Sequence, residues 1–179
     1  MMERTSRWAR SWITVAAAFG LLAASCGEGS RRLTATDVTG LPPGDASGMS
    51  FAGPYLITGG KIEDCACSRP ANYCSTARVN VGRAIVVTQN GGSMTAVFDM
   101  VPDLVYAGGV NADGTYRLGV AIDKPGTLEY VAMYGHIRSS ASGTPTGMDT
   151  TQELFAETTD FACEIVKASF SSDYLAAAK

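Results

Sequence analysis

Beyond Phe51 the chain alternates apolar and polar residues with a period near two, in short runs separated by turn residues. A period of two places successive side chains on opposite faces of a β-strand, whereas an amphipathic helix has a period of 3.6. No helical stripe of useful length appears before the C-terminal SSDYLAAAK, which could form a turn or two of helix. The pattern therefore predicts an all-β domain over residues 51–175.

The clearest predicted hairpin covers residues 83–99, RAIVVTQNGGSMTAVFD. Asn90 and Gly91 tolerate the positive φ angles of a tight hairpin turn, and the glycine that follows leaves room for a bulge. One face of the second arm carries Met94, Ala96 and Phe98. This alternation is typical of a strand that packs one face against a core.

A second hairpin is predicted over residues 104–122, and further arms over residues 128–138, 152–158 and 162–170. The polar stretch 139–150 between two of these arms is predicted to be a long loop. In residues 128–138, LEYVAMYGHIR, both faces carry apolar side chains. The sequence therefore does not indicate which face of this arm is buried.

With an arm at 54–62 and a broken arm around 78–81, the domain has about eight short strands in sequential hairpins. Several glycines lie within these strands, namely Gly59, Gly60, Gly108, Gly109, Gly119 and Gly135. Glycine inside a strand marks a bulge or the sharp coiling of a small barrel. Closure also removes exposed strand edges. We therefore predict a small antiparallel up-and-down barrel, with a two-sheet β-sandwich as the alternative.

The first 25 residues have the composition of an export signal. MMERTSRWAR is basic, and the apolar run that follows is too short to cross a bilayer, which takes about 20 residues. The sequence Leu22-Ala23-Ala24-Ser25-Cys26 resembles a bacterial lipobox. The resemblance implies a signal peptide over residues 1–25 and lipid attachment at Cys26, and the alternative is an ordinary signal peptide. Gly27 after the cysteine resembles lipoproteins of the outer membrane.

Residues 26–50 are rich in Gly, Ser, Thr and Pro and have no apolar periodicity. This composition predicts a flexible tether, whose ends would lie about 25 Å apart on average. The alternative is that the segment packs on the domain as an extra strand. A tether of this length would let the domain stand clear of a membrane surface.

The charge of the chain argues against a nucleic-acid partner. Residues 1–25 contain three Arg and one Glu, so the remainder has 11 basic and 16 acidic side chains and a net charge of about −5. The sequence has no basic patch and no interleaving of Lys or Arg with aromatic residues, which a surface that binds a phosphate backbone needs.

Apart from Cys26, the chain contains Cys65, Cys67, Cys74 and Cys163. An even number of cysteines in an exported protein predicts two disulfides, and a thiolate metal site is the alternative. A bridge from Cys65 to Cys67 would close a small, strained ring. One local bridge to Cys74 and one long bridge to Cys163 are therefore expected, with the assignment of the other two cysteines open.

The sequence offers little catalytic chemistry. His136 is the one histidine, and no nucleophile motif such as G-x-S-x-G is present. The carboxylates between residues 149 and 164 alternate with other residues, as expected for the solvent-exposed face of a strand. They do not form a calcium-binding loop. We expect no catalytic residue, metal or cofactor. Three tyrosines, Tyr106, Tyr116 and Tyr130, could line a small apolar pocket, although such residues are more often simply core.

The hairpins VVTQNGGSMTAVFD and ADGTYRLG resemble those of small β-meander lipoproteins of bacteria and, more distantly, lipocalin and avidin barrels. The Gly-x-Trp of lipocalins is replaced by Gly53-Pro54-Tyr55. The resemblance implies a lipid-anchored, non-catalytic envelope protein with a structural or interaction role, whose partner would be another envelope protein. The alternative is a barrel that binds a small apolar ligand.

Overall fold

A computed structural model describes residues 32–46 and 48–176. The predicted signal peptide, Cys26 and the first part of the predicted tether lie outside the described residues. The strands are β1 (Gly53–Arg69), β2 (Ala84–Asn90), β3 (Ser93–Phe98), β4 (Val105–Val110), β5 (Thr115–Lys124), β6 (Thr127–Ser139), β7 (Pro145–Thr158) and β8 (Ala162–Tyr174). Two four-residue helices accompany them, α1 (Ala35–Val38) and α2 (Tyr73–Thr76).

The eight strands form one antiparallel sheet that closes on itself, since each strand pairs with the next in sequence and β8 pairs with β1. This arrangement confirms the predicted all-β fold and up-and-down barrel, rather than the sandwich. The predicted 83–99 hairpin is present as β2 and β3, and Met94, Ala96 and Phe98 are all buried. The turn residue Gly91 has a φ of +58°, which a glycine adopts without strain.

The barrel is uneven, because its strands differ in length. β1 pairs with β8 from Tyr55 to Arg69 but with β2 only over Gly53–Leu56. Strands β2 to β4 are short, whereas β5 to β8 are long. Residues 70–83, which we call the cap, connect the far end of β1 to the start of β2. Tyr73 and Ala77 of the cap are buried in the core, so the cap packs against the interior of the barrel.

The inward-facing side chains form one large cluster of buried residues. Its largest members that are almost completely buried include Tyr55, Tyr106, Phe98 and Met133. Phe98 packs edge-on against Tyr106, with ring centroids 5.4 Å apart. Burying a side chain of this size contributes about 1.5–3 kcal/mol relative to leaving it exposed, so these contacts supply the main stabilisation of the barrel.

Residues 33–46 and 48–50, which we call the strap, do not form the flexible tether that the sequence predicts. The strap lies on the outer wall of the barrel, and its residues Leu33 and Val38 are buried against Ala132 and Phe155. Its backbone donates hydrogen bonds to the barrel, from Gly44 N–H to the Gly92 carbonyl at 2.9 Å and from Ala46 N–H to the Val110 carbonyl at 3.2 Å. Backbone contacts of this kind leave no apolar periodicity in the sequence.

Glycines on the outer wall make room for the strap. A Cβ atom on Gly119 would collide with the backbone carbonyl of Val38, and one on Gly109 would collide with the backbone of Pro42. The sequence pattern predicts that these glycines mark bulges or strong coiling of the sheet. The structure gives two of them a second role, because the strap backbone approaches the strands where a side chain is missing.

Replacing Gly119 with alanine is therefore expected to lift the strap from the barrel. We expect Gly119→Ala to lower the free energy of unfolding by about 1–3 kcal/mol, as overpacking does, and to expose the strap to proteases. Chemical denaturation and limited proteolysis measure the two effects. Gly59→Ala is the matched control, because a Cβ there meets no atom within 4 Å. Equal protease resistance in both variants would contradict the role assigned to Gly119.

The structure corrects three further predictions. β7 begins at Pro145, so the loop predicted over 139–150 shrinks to the turn between β6 and β7. Residues 171–174 extend β8 and do not form a helix, while residues 177–179 lie outside the described part of the chain. Residues 78–81 belong to the cap and not to a strand. Both extensions of the strands arise from pairing with long neighbours, which local composition does not reveal.

Candidate functional site

The four cysteines of the domain form two pairs at disulfide distance beside the seam of the barrel. Cys65 pairs with Cys74, with Cα atoms 5.5 Å apart, and Cys67 pairs with Cys163, with Cα atoms 4.0 Å apart. The first pair ties β1 to the cap, and the second ties β1 to β8. The sulfur atoms of Cys65, Cys67 and Cys74 lie within 4.8 Å of one another, but each is engaged in a bridge.

The three tyrosines singled out in the sequence do not meet at one site. Tyr106 and Tyr116 are buried inside the barrel. Tyr130 lies on the outer wall, where it stacks on Phe155 at a centroid distance of 5.8 Å, next to the cluster that holds the strap. The structure therefore leaves two of the three tyrosines as candidates for an internal pocket.

The face of β6 that points into the barrel carries Glu129, Val131, Met133 and Ile137. Glu129 is only 6% exposed, and it is the one charged side chain among the buried residues that the structure describes. Its neighbours on the adjacent strands are Ile122 and Ala156, which are apolar. A carboxyl group in such surroundings lacks the solvation that its charged form requires.

Three further polar groups accompany Glu129 inside the barrel. The hydroxyl group of Tyr73 and the Oε1 atom of Gln152 are buried without a hydrogen-bond partner in the described structure. The amide nitrogen of Gln152 donates to the hydroxyl oxygen of Tyr106 over 3.5 Å, at the limit of a hydrogen bond. We call Glu129, Tyr73, Tyr106 and Gln152 the Glu129 cluster.

The ionisation of the cluster reflects its burial. Burial raises the pKa of Glu129 to about 7, so the carboxyl group changes charge near neutral pH. Burial also raises the pKa of the Tyr73 and Tyr106 hydroxyl groups, and the negative charge of Glu129 raises both further.

A second pair of polar groups lies elsewhere in the interior and is better satisfied. The hydroxyl groups of Tyr116 and Thr150 are 2.6 Å apart, and the Tyr55 hydroxyl donates to the Phe51 carbonyl oxygen at 2.7 Å. Burial raises the pKa of Tyr116, so this hydroxyl group stays neutral at ordinary pH. These hydrogen bonds account for the tyrosine hydroxyl groups, whereas the Glu129 cluster has acceptors and donors left over.

The other candidate residues lie on the outside of the barrel. The exposed His136 has its Nε2 atom 2.9 Å from the carbonyl oxygen of Asp113, at the end of a hairpin. Glu153 pairs with Lys167 at 3.1 Å and accepts a hydrogen bond from Tyr134 at 2.7 Å. These contacts fit a solvated strand surface.

A cleft of about 520 Å³ opens beside Cys67 and Cys163 on the outer surface. Its walls carry charges of both signs: Arg32 is paired with Glu157 at 3.7 Å, and Arg69 donates a hydrogen bond to the carbonyl oxygen of Thr159 at 3.2 Å. The guanidinium group of Arg32 also lies 4.0 Å from the centre of the Phe155 ring. Both arginines of the cleft therefore already have partners.

The sequence analysis identified one of the cluster residues, the inward Tyr106. Tyr73 was missed, because it precedes a cysteine in a segment without periodicity. Glu129 was missed because the outer face of β6 is also apolar, which hid the phase of the strand. The strap explains that face, since it covers Ala132 and packs beside Leu128 and Tyr130.

Neither helix in the described part of the chain comes close to the length and apolar content that crossing a bilayer takes. We found no match to this chain among family models, curated proteins or solved structures.

Proposed function

We propose that this chain is a bacterial cell-envelope lipoprotein, held at the outer membrane by a lipid on Cys26, with a non-catalytic barrel domain in a structural or interaction role. The observation that carries the proposal is the pairing of the cysteines. Four of the five cysteines in the sequence form bridges within the barrel, which leaves Cys26 as the remaining thiol. Bridged cysteines favour an oxidising compartment outside the cytosol.

The strap adds a geometric argument. It begins at Leu33, so about seven residues separate Cys26 from the barrel wall, and a chain of that length spans at most about 25 Å. An anchor of this kind would hold the barrel close to the bilayer. The packed interior also supports a structural or interaction role, because the cluster of buried side chains runs through all eight strands.

Mass spectrometry of the mature N-terminus tests the anchor. We expect a bacterial host with two membranes to yield a first peptide that begins at Cys26 and carries acyl chains. The protein should fractionate with membranes, whereas Cys26→Ser should be recovered without acyl chains in the soluble envelope fraction. A wild-type peptide that begins before Cys26, or an unmodified Cys26, would refute the proposal.

A further inference from the structure

The two disulfide bridges of the domain lie side by side. The sulfur atoms of Cys65, Cys67 and Cys74 are all within 4.8 Å of one another, although Cys67 is bonded to neither of the other two. Two non-bonded heavy atoms in contact are about 3.5–4 Å apart. A small rotation of the Cys67 side chain therefore brings its sulfur into contact with the Cys65–Cys74 bridge.

This proximity allows one bridge to react with the other. A disulfide breaks when a thiolate attacks one of its sulfur atoms. Once the Cys67–Cys163 bridge is reduced, the Cys67 thiolate lies beside the Cys65–Cys74 bridge. An attack on Cys65 would close the small, strained ring between Cys65 and Cys67. An attack on Cys74 avoids that ring, so the expected product is a bridge between Cys67 and Cys74.

The cleft on the outer surface gives an outside thiol access to the first bridge. Cys67 and Cys163 both line the cleft, between Ser68 of β1 and the exposed Glu164 of β8. Its volume of about 520 Å³ is in the range of sites for small molecules, about 300–1,000 Å³. Cys67 is partly exposed, whereas Cys163 is only 2% exposed. Because exchange depends on access to the sulfur, a small thiol is expected to react at Cys67.

We propose that the four bridged cysteines form a thiol–disulfide exchange site whose substrate is a small thiol in the cleft. The thiolate of this substrate attacks the Cys67 sulfur and forms a mixed disulfide, and Cys163 leaves as a thiolate that takes up a proton. A second substrate thiolate attacks the first, so the substrate leaves as its oxidised dimer and Cys67 becomes a thiolate. Cys67 then bonds to Cys74, the Cys65–Cys74 bond breaks, and Cys65 takes up a proton.

The reaction changes the seam of the barrel and not the attachment of the cap. Two electrons pass from two substrate thiols to the protein, which ends with one bridge, Cys67–Cys74, and two thiols, Cys65 and Cys163. The cap stays bonded to β1 throughout the last step, whereas β1 and β8 lose their covalent link. The site is therefore a redox-dependent lock on the β1–β8 seam, and it does not depend on the lipid anchor proposed above.

The exchange step is tested by leaving Cys67 without its partner. All proteins carry Cys26→Ser, which keeps the fifth thiol out of the reaction. Folded Cys163→Ser is held at pH 8, where free thiols react as thiolates, and is then alkylated with N-ethylmaleimide at pH 5 in denaturant. Mass spectrometry maps the bridges. We expect a Cys67–Cys74 bridge, with the alkyl label on Cys65, in at least about one molecule in ten.

Cys67→Ser is the matched control. It frees Cys163, whose sulfur lies outside the three that are within 4.8 Å of one another. This variant should keep the Cys65–Cys74 bridge and carry the label on Cys163 alone. Labelling of Cys163→Ser on Cys67 alone would show that no exchange takes place and would overturn the proposal.

The whole reaction is tested with all four cysteines of the domain in place. The folded protein is treated with 2-mercaptoethanol at pH 8, and the species with two thiols is alkylated and mapped in the same way. We expect labels on Cys65 and Cys163. Labels on Cys67 and Cys163 alone would contradict the exchange step, and labels on Cys65 and Cys74 alone would contradict entry through the cleft.

Bulk at the edge of the cleft tests the route of the small thiol. Ser68 is exposed and lines the cleft next to Cys67. We expect Ser68→Phe to slow the reduction by 2-mercaptoethanol by a factor of about five, because the thiol reaches the sulfur less often. Ser68→Ala removes the hydroxyl group without adding bulk and should react as the unchanged domain does. Equal rates in all three proteins would refute the cleft as the route.

Discussion

Replacing Cys67 and Cys163 together with serine is expected to lower the free energy of unfolding by about 4–5 kcal/mol. The two residues are 96 positions apart, and the chain-entropy account of disulfides gives a loss of that size when so long a loop is released. The cysteines are direct partners across the seam between β1 and β8, so without the bridge the seam is held by hydrogen bonds and packing. Urea denaturation under non-reducing conditions measures the loss.

The other bridge supplies the matched comparison. Cys65 and Cys74 are only 9 positions apart, and the same account gives about 2.5–3 kcal/mol for replacing both with serine. Replacing the long bridge should therefore lower the free energy of unfolding by about 2 kcal/mol more than replacing the short one. A larger loss from the short bridge would mean that the contact between the cap and the core, and not loop length, governs stability.

Raising the pH from 4.5 to 7 is expected to destabilise the wild-type protein by roughly 3 kcal/mol through Glu129 alone. Its pKa rises from an ordinary 4.5 in the unfolded chain to about 7 in the barrel. Between these values the unfolded state releases its proton while the folded state keeps it, so the folded state loses stability as the pH rises. Below pH 4.5 both states are protonated and this penalty is absent, and above pH 7 it is constant.

Glu129→Gln removes this titration and keeps the shape of the side chain. We expect the variant to match the wild type within about 1 kcal/mol at pH 4.5 and to exceed its stability by about 2–3 kcal/mol at pH 8. Urea denaturation at several pH values measures both curves. Glu164→Gln is the control and should follow the wild-type curve. The lowered pKa values of Asp113 and Glu63 act at more acidic pH and do not affect this window.

Much of the barrel could be predicted from local pattern. The 83–99 hairpin shows a clear period of two and a glycine-containing turn, and both determine strand and register locally. The ends of the long strands could not be predicted in this way. Residues 145–151 and 171–174 are mostly polar, and they are strands because β7 pairs with β6 on one side and with β8 on the other along nearly its whole length.

The strap and the candidate site share one reason for having been missed. The strap contacts the barrel through its own backbone and through glycines, so its sequence is that of a linker. When the strap is not considered, the apolar outer face of β6 looks like a second core face. The sequence then does not show that the Glu129 side chain points into the barrel. The inward direction of Glu129 therefore depends on the position of the strap, which the sequence pattern does not reveal.

The path of the strap has a mechanical consequence. A pulling force on the chain ahead of Leu33 acts first on the strap, whose contacts with the wall are arranged one after another from Val38 to Ala46. Contacts arranged in this way are loaded one at a time, so they break one after another at low force. The strap would lengthen under tension before any load reached the ring of strands, which the Cys67–Cys163 bridge keeps closed.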